Sequence, residues 1–180
     1  RGLYKTTDAG RTWQRVLAIS DHTGVSDLWL DPRNPDVILA STWQRRRHVW
    51  TAIQGGPEGA VHKSTDAGAT WRKLEGGLPK GELGRIGLAV SPADPDVVYA
   101  MVEASDRKAA GTYRSADGGS SWERRGDYAT PGAQYYQELV PDPQDRDRVY
   151  AMDVFMKVTE DGGKTWKSVG EQDKHVDNHA

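Results

Sequence analysis

Four aspartates in this chain share one eight-residue setting. Thr6-Thr7-Asp8-Ala9-Gly10-Arg11-Thr12-Trp13, Ser64-Thr65-Asp66-Ala67-Gly68-Ala69-Thr70-Trp71, Ser115-Ala116-Asp117-Gly118-Gly119-Ser120-Ser121-Trp122 and Thr159-Glu160-Asp161-Gly162-Gly163-Lys164-Thr165-Trp166 all read Ser/Thr-x-Asp-x-Gly-x-Ser/Thr-Trp. Four carboxylates in one pattern invite a catalytic or calcium-binding array. Local physics favours a staple. A short carboxylate accepts hydrogen bonds from amides a few residues on and closes a tight turn. Gly10, Gly68, Gly119 and Gly163 supply a backbone conformation that side chains resist. The hydroxyl joins the network, and the tryptophan is expected to turn inward as an apolar anchor.

Three other stretches carry residues suited to chemistry. His175-Val176-Asp177-Asn178-His179 places two imidazoles and a carboxylate at i, i+2 and i+4, on one side if extended. Such a trio suits zinc or proton transfer, and equally arises in ordinary loops. Trp43-Gln44-Arg45-Arg46-Arg47-His48-Val49-Trp50 sets aromatics beside three arginines. Aromatic faces suit sugar rings and guanidinium forks suit carboxylates or phosphates; the plain alternative is a solvated loop covering a neighbour. Tyr135-Tyr136-Gln137-Glu138 leads into an apolar strand, where alternation would put Tyr136 and Glu138 on one face. Asp27 precedes a comparable strand and is a further carboxylate candidate.

The elements that must position these residues repeat. Leu28 to Ala40 and Leu88 to Ala100 share a phrase in which apolar runs flank a Pro/Asp cluster, with a looser copy from Asp142 to Ala151. Each reads strand, turn, strand; adding the eight-residue turn gives four short antiparallel strands per unit. The turn tryptophans lie 58, 51 and 44 residues apart (13 to 71, 71 to 122, 122 to 166). That period predicts an all-β fold, a β-propeller of four-stranded antiparallel blades. The expected parts are 1–17 as the end of a blade, 25–76 as a blade with an insertion at 43–56, and blades at 84–126 and 135–169. Residues 175–180 are expected to open another, so the ring is incomplete, about three full blades plus partial ones.

Composition narrows the function. Charged residues are 28% and the net charge is −2, so no global field draws the chain to nucleic acid. No apolar run approaches the ~18 residues that span a bilayer. The absence of cysteine excludes disulfides and thiol chemistry, and nothing implies a cofactor. The chain opens at Arg1 without a Met, so the sequence does not exclude a leader peptide.

The four turns, together with Gly77-Leu78-Pro79-Lys80-Gly81, Gly84-Arg85-Ile86-Gly87, Tyr135-Tyr136 and Asp177-Asn178-His179, resemble the Asp-box, or BNR-repeat, propellers. The resemblance is nearest to the secreted bacterial repeat proteins called glycosyl-hydrolase-like or sortilin-like. It implies the fold over essentially the whole chain and an extracellular or periplasmic location. It leaves activity open, because the same repeat occurs in sialidases, xyloglucan-cleaving enzymes, sortilin-type receptors and a photosystem II assembly factor. The sialidase arginine triad cannot be assembled here, and the cysteine-rich module of sortilin-type receptors is missing. The xyloglucan-cleaving enzymes place two catalytic aspartates across a cleft between paired propellers.

Three readings follow. The leading one is a non-catalytic scaffold that binds a polysaccharide or protein on the rim opposite the boxes, through Trp43, Arg45, Arg46, Arg47, Trp50, Tyr135 and Tyr136. Another is part of a glycoside hydrolase, with Asp27, Glu138 and Asp177 as its candidate carboxylates. The last is an interaction module whose ring is completed by another chain.

Overall fold

The computed structural model describes residues 1–170, 173 and 175–179 and contains no helix among them. A pair of strands comes first, β1 (Leu3–Lys5) and β2 (Gln14–Leu17). Next are β3 (Thr23–Asp31) and β4 (Asn34–Gln44), a separate hairpin of β5 (Arg46–His48) and β6 (Thr51–Ile53), then β7 (Ala60–Ser64) and β8 (Arg72–Lys73). A second unit comprises β9 (Leu83–Val90), β10 (Val98–Ala104), β11 (Gly111–Ser115) and β12 (Glu123–Gly126). The third is β13 (Leu139–Pro141), β14 (Val149–Ala151), β15 (Lys157–Thr159) and β16 (Lys167–Ser168). Sheets form in chain order as β3-β4-β7-β8, β9-β10-β11-β12 and β13-β14-β15-β16, all antiparallel. These are propeller blades, and the ring they begin is incomplete.

Blade-on-blade packing explains the sequence of the middle sheet. In β10, Val98, Ala100 and Val102 join Leu39, Val61, Leu74 and Trp122 in a core shared with the preceding sheet. Val97, Tyr99 and Met101 join Leu139, Val149 and Ala151 in a core shared with the following one. A strand covered on both faces reads as a continuous apolar run rather than an alternating one. Outer strands such as β8, with exposed Arg72 and Lys73, are half-solvated and polar.

Each repeated turn joins strands three and four. Asp66 accepts the Ser64 hydroxyl and the Thr70 amide on one oxygen, both at 2.8 Å, and the Thr70 hydroxyl at 2.6 Å on the other. The Gly68 amide in turn donates to Ser64 Oγ at 2.8 Å. The same bonds recur around Asp8, Asp117 and Asp161. The last three turns are also tied to the strand one–two turn of their own blade: Ala67, Gly118 and Gly162 donate their amides to the Asp36, Asp96 and Asp147 carbonyls at 2.9, 2.9 and 3.0 Å. Both kinds of turn therefore share a rim.

A basic side chain immediately before the turn reaches the next blade. Lys5 Nζ donates to the Ala67 carbonyl at 2.8 Å and Lys63 Nζ to the Gly118 carbonyl at 2.6 Å. At the third junction Arg114 reaches Asp147 at 3.0 Å, while Arg125 takes the Gly162 carbonyl at 3.2 Å. Gly77, at φ +91°, allows close approach between blades: its neighbour Gly76 accepts the Trp122 amide at 2.7 Å, and a Cβ on Gly77 would overlap the Trp122 carbonyl.

Not every turn tryptophan is an inward anchor. Trp122 is 7% exposed, against 61% for Trp13. The cover comes from the preceding sheet: Leu39 and Leu74 surround Trp122, and Tyr128 packs on Trp166 at 5.1 Å. Trp71 shares a groove of about 350 Å³ with Val16, while Trp13 is exposed. The insertion also differs from a loop: Trp43 belongs to β4, and β5 and β6 pair as a hairpin. Residues 175–179 carry no strand; their backbone instead bonds to Asp153 and Val154, and Ala180 lies outside the described residues.

Two predictions follow from this packing. Trp122→Ala should cost about 3–5 kcal/mol, and Trp13→Ala under about 0.5 kcal/mol, in urea unfolding. Equal effects would contradict the packing asymmetry. Stability should also fall in two acid stages. His62 is buried and held at about 4, chiefly by desolvation and then by Lys73, so its contribution is present above 6.5 and lost between pH 6.5 and 4. The turn aspartates are held at about 2. Hydroxyl bonds from Thr12, Thr70 and Ser121 are the largest cause at Asp8, Asp66 and Asp117; at Asp161 burial pushes upward and the Thr165 bonds offset it. Their share is present above 3.8 and lost between about pH 4 and 2. His62→Leu should remove the first stage from a melting-temperature profile and leave the second.

Candidate functional site

The first strands β3, β9 and β13 lie beside one another as the innermost strands. Polar groups stitch them together where apolar packing alone would leave inner-strand amides unpaired. Asp27 sits at a bulge in β3 and accepts the Leu28 amide on one oxygen and the Leu88 amide of β9 on the other, each at 2.8 Å. Ser41 donates its hydroxyl to the Ile86 carbonyl at 2.8 Å. Across the next seam, Gln137 Nε2 donates to the Arg85 and Met101 carbonyls at 3.2 and 3.0 Å. Its Oε1 is buried without a hydrogen-bond partner among the described residues.

Arg85 is the hub of this region. Its guanidinium donates to the Tyr136 carbonyl at 2.6 Å and the Ala133 carbonyl at 3.4 Å, and lies 3.8 Å from Glu138. Its amide donates to Glu103 at 3.1 Å. Burial pushes the Asp27 carboxyl above its usual range, against the lowering pull of the Leu88 and Leu28 amides and of Arg85; Glu138 adds to the rise. Burial likewise raises Glu103, opposed by the Arg85 amide. Two of the three carboxylates expected from the sequence, Asp27 and Glu138, are therefore coupled through one arginine. Arg85 and Glu103 were not among the expected site residues. Their signal is charge placed near the ends of otherwise apolar strands, Arg85 between Gly84 and Ile86 in β9 and Glu103 after Val102 in β10.

The third carboxylate belongs to a neighbouring cluster. Tyr136 donates its hydroxyl to Asp177, and its ring stacks on His179 with centroids 5.1 Å apart. His179 Nε2 lies 3.5 Å from Asp177. Tyr136 and Glu138 do not share the face of a strand, because β13 begins at Leu139 and Gln137 has φ +89°. Alternation fails at Asp177 too, with φ +78°, so His175, Asp177 and His179 do not line one side of an extended segment. No group of three metal-ligating side chains converges among the described residues. Tyr135 is exposed, edge-on to Tyr136 at 6.5 Å.

The β5–β6 hairpin joins strands two and three, on the rim away from the stapled turns. Trp43 Nε1 donates to the Gln54 carbonyl at 2.8 Å, and Arg45 lies over the Trp43 ring at 5.0 Å. Arg46 bonds His22 Nε2 at 3.1 Å, while Arg47 and Trp50 are exposed. The structure places these residues apart from the Arg85 hub, on another element.

No family model matches the chain. It is 28% identical over 156 residues to a xyloglucanase of Hypocrea jecorina (strain QM6a), covering 80% of this chain and 17% of that protein. It is 27% identical to a xyloglucanase of Paenibacillus sp over 76% of this chain and 13% of that one. Among solved structures, an ancestral GH74 enzyme superposes with a TM-score of 0.62 at 18% identity, covering 96% of this chain and 22% of that one. The GH74 xyloglucanase from Xanthomonas campestris gives 0.57 at 24% identity, covering 82% and 24%. YCF48 bound to D1 peptide gives 0.53 at 15%, covering 82% and 40%. The chain is thus a section of a β-propeller similar to those of glycoside hydrolases. It spans 13% to 17% of the length of these two xyloglucanases.

One prediction concerns the Tyr136 cluster. The Asp177 carboxylate, first through its hydrogen bond, pushes the Tyr136 phenol up to about 12. The contribution of this contact is present below pH 10 and lost as pH rises toward 12. Burial also raises Tyr99, Tyr113 and Tyr128, so alkaline titration by ultraviolet absorbance should show several late-ionising tyrosines, one fewer in Tyr136→Phe. A profile unchanged by that substitution would refute the contact.

Proposed function

We propose that the chain is part of the propeller of an exported glycoside hydrolase acting on a xyloglucan-like β-glucan, and that its four stapled turns are Asp boxes of the BNR type. The observation that carries the reading is the inner-strand site of Asp27, Arg85 and Glu138, in a fold whose sequence relatives are named xyloglucanases. Glycosidic cleavage needs a carboxylic acid that holds its proton and a second carboxylate that acts as base or nucleophile. In this reading Asp27, raised by burial, gives its proton to the leaving oxygen. Glu138 attacks or activates water beside Arg85, whose positive charge keeps the carboxylate oriented.

The test uses the full-length parent protein with xyloglucan, mixed-linkage β-glucan and cellulose, measured by reducing-sugar release. Asp27→Asn keeps one oxygen for an amide donor but sets its NH2 against the other, so the protein should stay folded with a lower melting temperature while kcat falls about 100-fold or more. Hydrolysis at the wild-type rate by both Asp27→Asn and Glu138→Gln would remove these residues from the mechanism. A wild-type protein that cleaves none of the three would end the hydrolase reading.

A binding scaffold is the second reading. The likeness to YCF48 bound to D1 peptide supports it, since a similar section of propeller occurs there in a protein holding a peptide. In that case the rim opposite the boxes carries the ligand, through Trp43, Trp50, Tyr135 or Tyr136.

A further inference from the structure

The β5–β6 hairpin carries an exposed aromatic surface beside arginines that no carboxylate of the described residues neutralises. His48 and Trp50 stack at 5.1 Å with 6° between their rings, and Trp50 is 81% exposed. The rings lie parallel, one over the other, and Trp50 remains exposed to solvent, at a position where burial would be expected for so large an apolar area. Val49 at the tip is fully exposed as well. The stack is held by the hairpin's own pairing, Arg46 with Ile53, Arg47 with Ala52 and His48 with Thr51.

Charge supplies the second observation. Arg45, Arg46 and Arg47 are consecutive, and none makes an ion pair with the described residues; their contacts are a tryptophan ring, an imidazole and a backbone bond. Glu58, the carboxylate beside His22, is instead engaged by the Ser20 and Thr23 hydroxyls. Three such arginines in a chain of net charge −2 form a local positive site against the global balance. Alternation puts Arg46 on the face of His48, about 6.7 Å along the strand. Arg46 is oriented there by His22, whose Nε2 must accept because a guanidinium only donates.

We infer that this hairpin binds an acidic polysaccharide: a uronate-bearing sugar stacks on the face of Trp50 that His48 leaves open, and its carboxylate meets the Arg46 fork, with Arg47 adding field from the hairpin's other face. Stacking requires a ring with an apolar face, and the fork requires a planar anion at sugar-scale distance from it. A neutral glucan satisfies the aromatic half alone. This site is separate from the Arg85 hub and stands whether or not that hub is catalytic.

The test is affinity electrophoresis of the full-length parent protein in native gels containing polygalacturonate, neutral xyloglucan or no polysaccharide, with single-stranded DNA as an anion without a sugar-acid face. Polygalacturonate should retard the protein, and salt should weaken retardation. Trp50→Ala should reduce affinity about tenfold, and Arg46→Lys with Arg47→Lys, which keeps charge and loses the forks, by a similar factor. The melting temperature of Trp50→Ala should stay unchanged, because Trp50 is exposed, while the lysine pair loses the Arg46 bond to His22 and should melt slightly lower yet remain folded under the binding conditions. Lack of retardation by polygalacturonate overturns the proposal, as does retardation insensitive to Trp50→Ala. Equal, Trp50-dependent binding of the DNA would assign the surface to nucleic acid instead. Trp50-dependent binding of xyloglucan that matches polygalacturonate and ignores the lysine variant would refute the acidic specificity.

Discussion

One aspartate carboxylate per sheet organises this structure. In each stapled turn it gathers a hydroxyl ahead of it and an amide and hydroxyl behind it, within eight residues, and so closes the third strand onto the fourth. Charge-assisted bonds of this kind are roughly twice as strong as neutral ones, and here they are entirely local. The closed turn then has a free carbonyl at its fourth position. That carbonyl receives the lysine of the preceding blade, as Ala67 does from Lys5 and Gly118 from Lys63. A local staple thereby becomes the registration point between sheets.

Inter-blade contact is the second constraint, and it falls on both faces of the middle sheet. Two separate cores flank β10, one with Leu39 and Val61 and one with Val149 and Ala151. At the inner edge the strands approach so closely that side chains must be small or polar. Gly87 is an example: a Cβ there would overlap the Gln137 carbonyl. Gln137, Asp27 and Ser41 then spend their hydrogen-bonding groups on neighbouring blades. The same crowding that needs these polar seams raises the Asp27 and Glu103 carboxyls by desolvation, so structural and candidate catalytic roles arise from one cause.

Position in the ring also separates the two candidate surfaces. The Arg85 hub is semi-buried at the inner strands, where groups are fixed by several blades at once. The β5–β6 hairpin projects from a single blade and owes its order to its own pairing and to His22 and Gln54. Chemistry that depends on a shifted proton affinity belongs to the first setting. Recognition by stacking and charge suits the second.

The amino-acid sequence alone determined the repeat, the four-stranded antiparallel unit and the stapled turns, because those features rest on contacts a few residues apart. Asp66 and Thr70 meet wherever the chain is placed. It also marked Trp50 and the arginines as unusual, since their types stand out from a scaffold. Tertiary structure decided the rest. Trp13 and Trp122 close the same eight-residue pattern, yet Trp122 is buried against Leu39 and Leu74 of the preceding sheet while Trp13 is exposed. Arg85 became a hub because β3 and the segment before β13 arrive beside it from 58 and 53 positions away (27 to 85, 85 to 138). Left-handed backbone at Gln137 and Asp177 undid the alternation expected there, since a period of two holds only while φ stays in the extended region. Short-range hydrogen bonds can be read along a chain, whereas desolvation and inter-blade contact exist only once distant segments exclude water together.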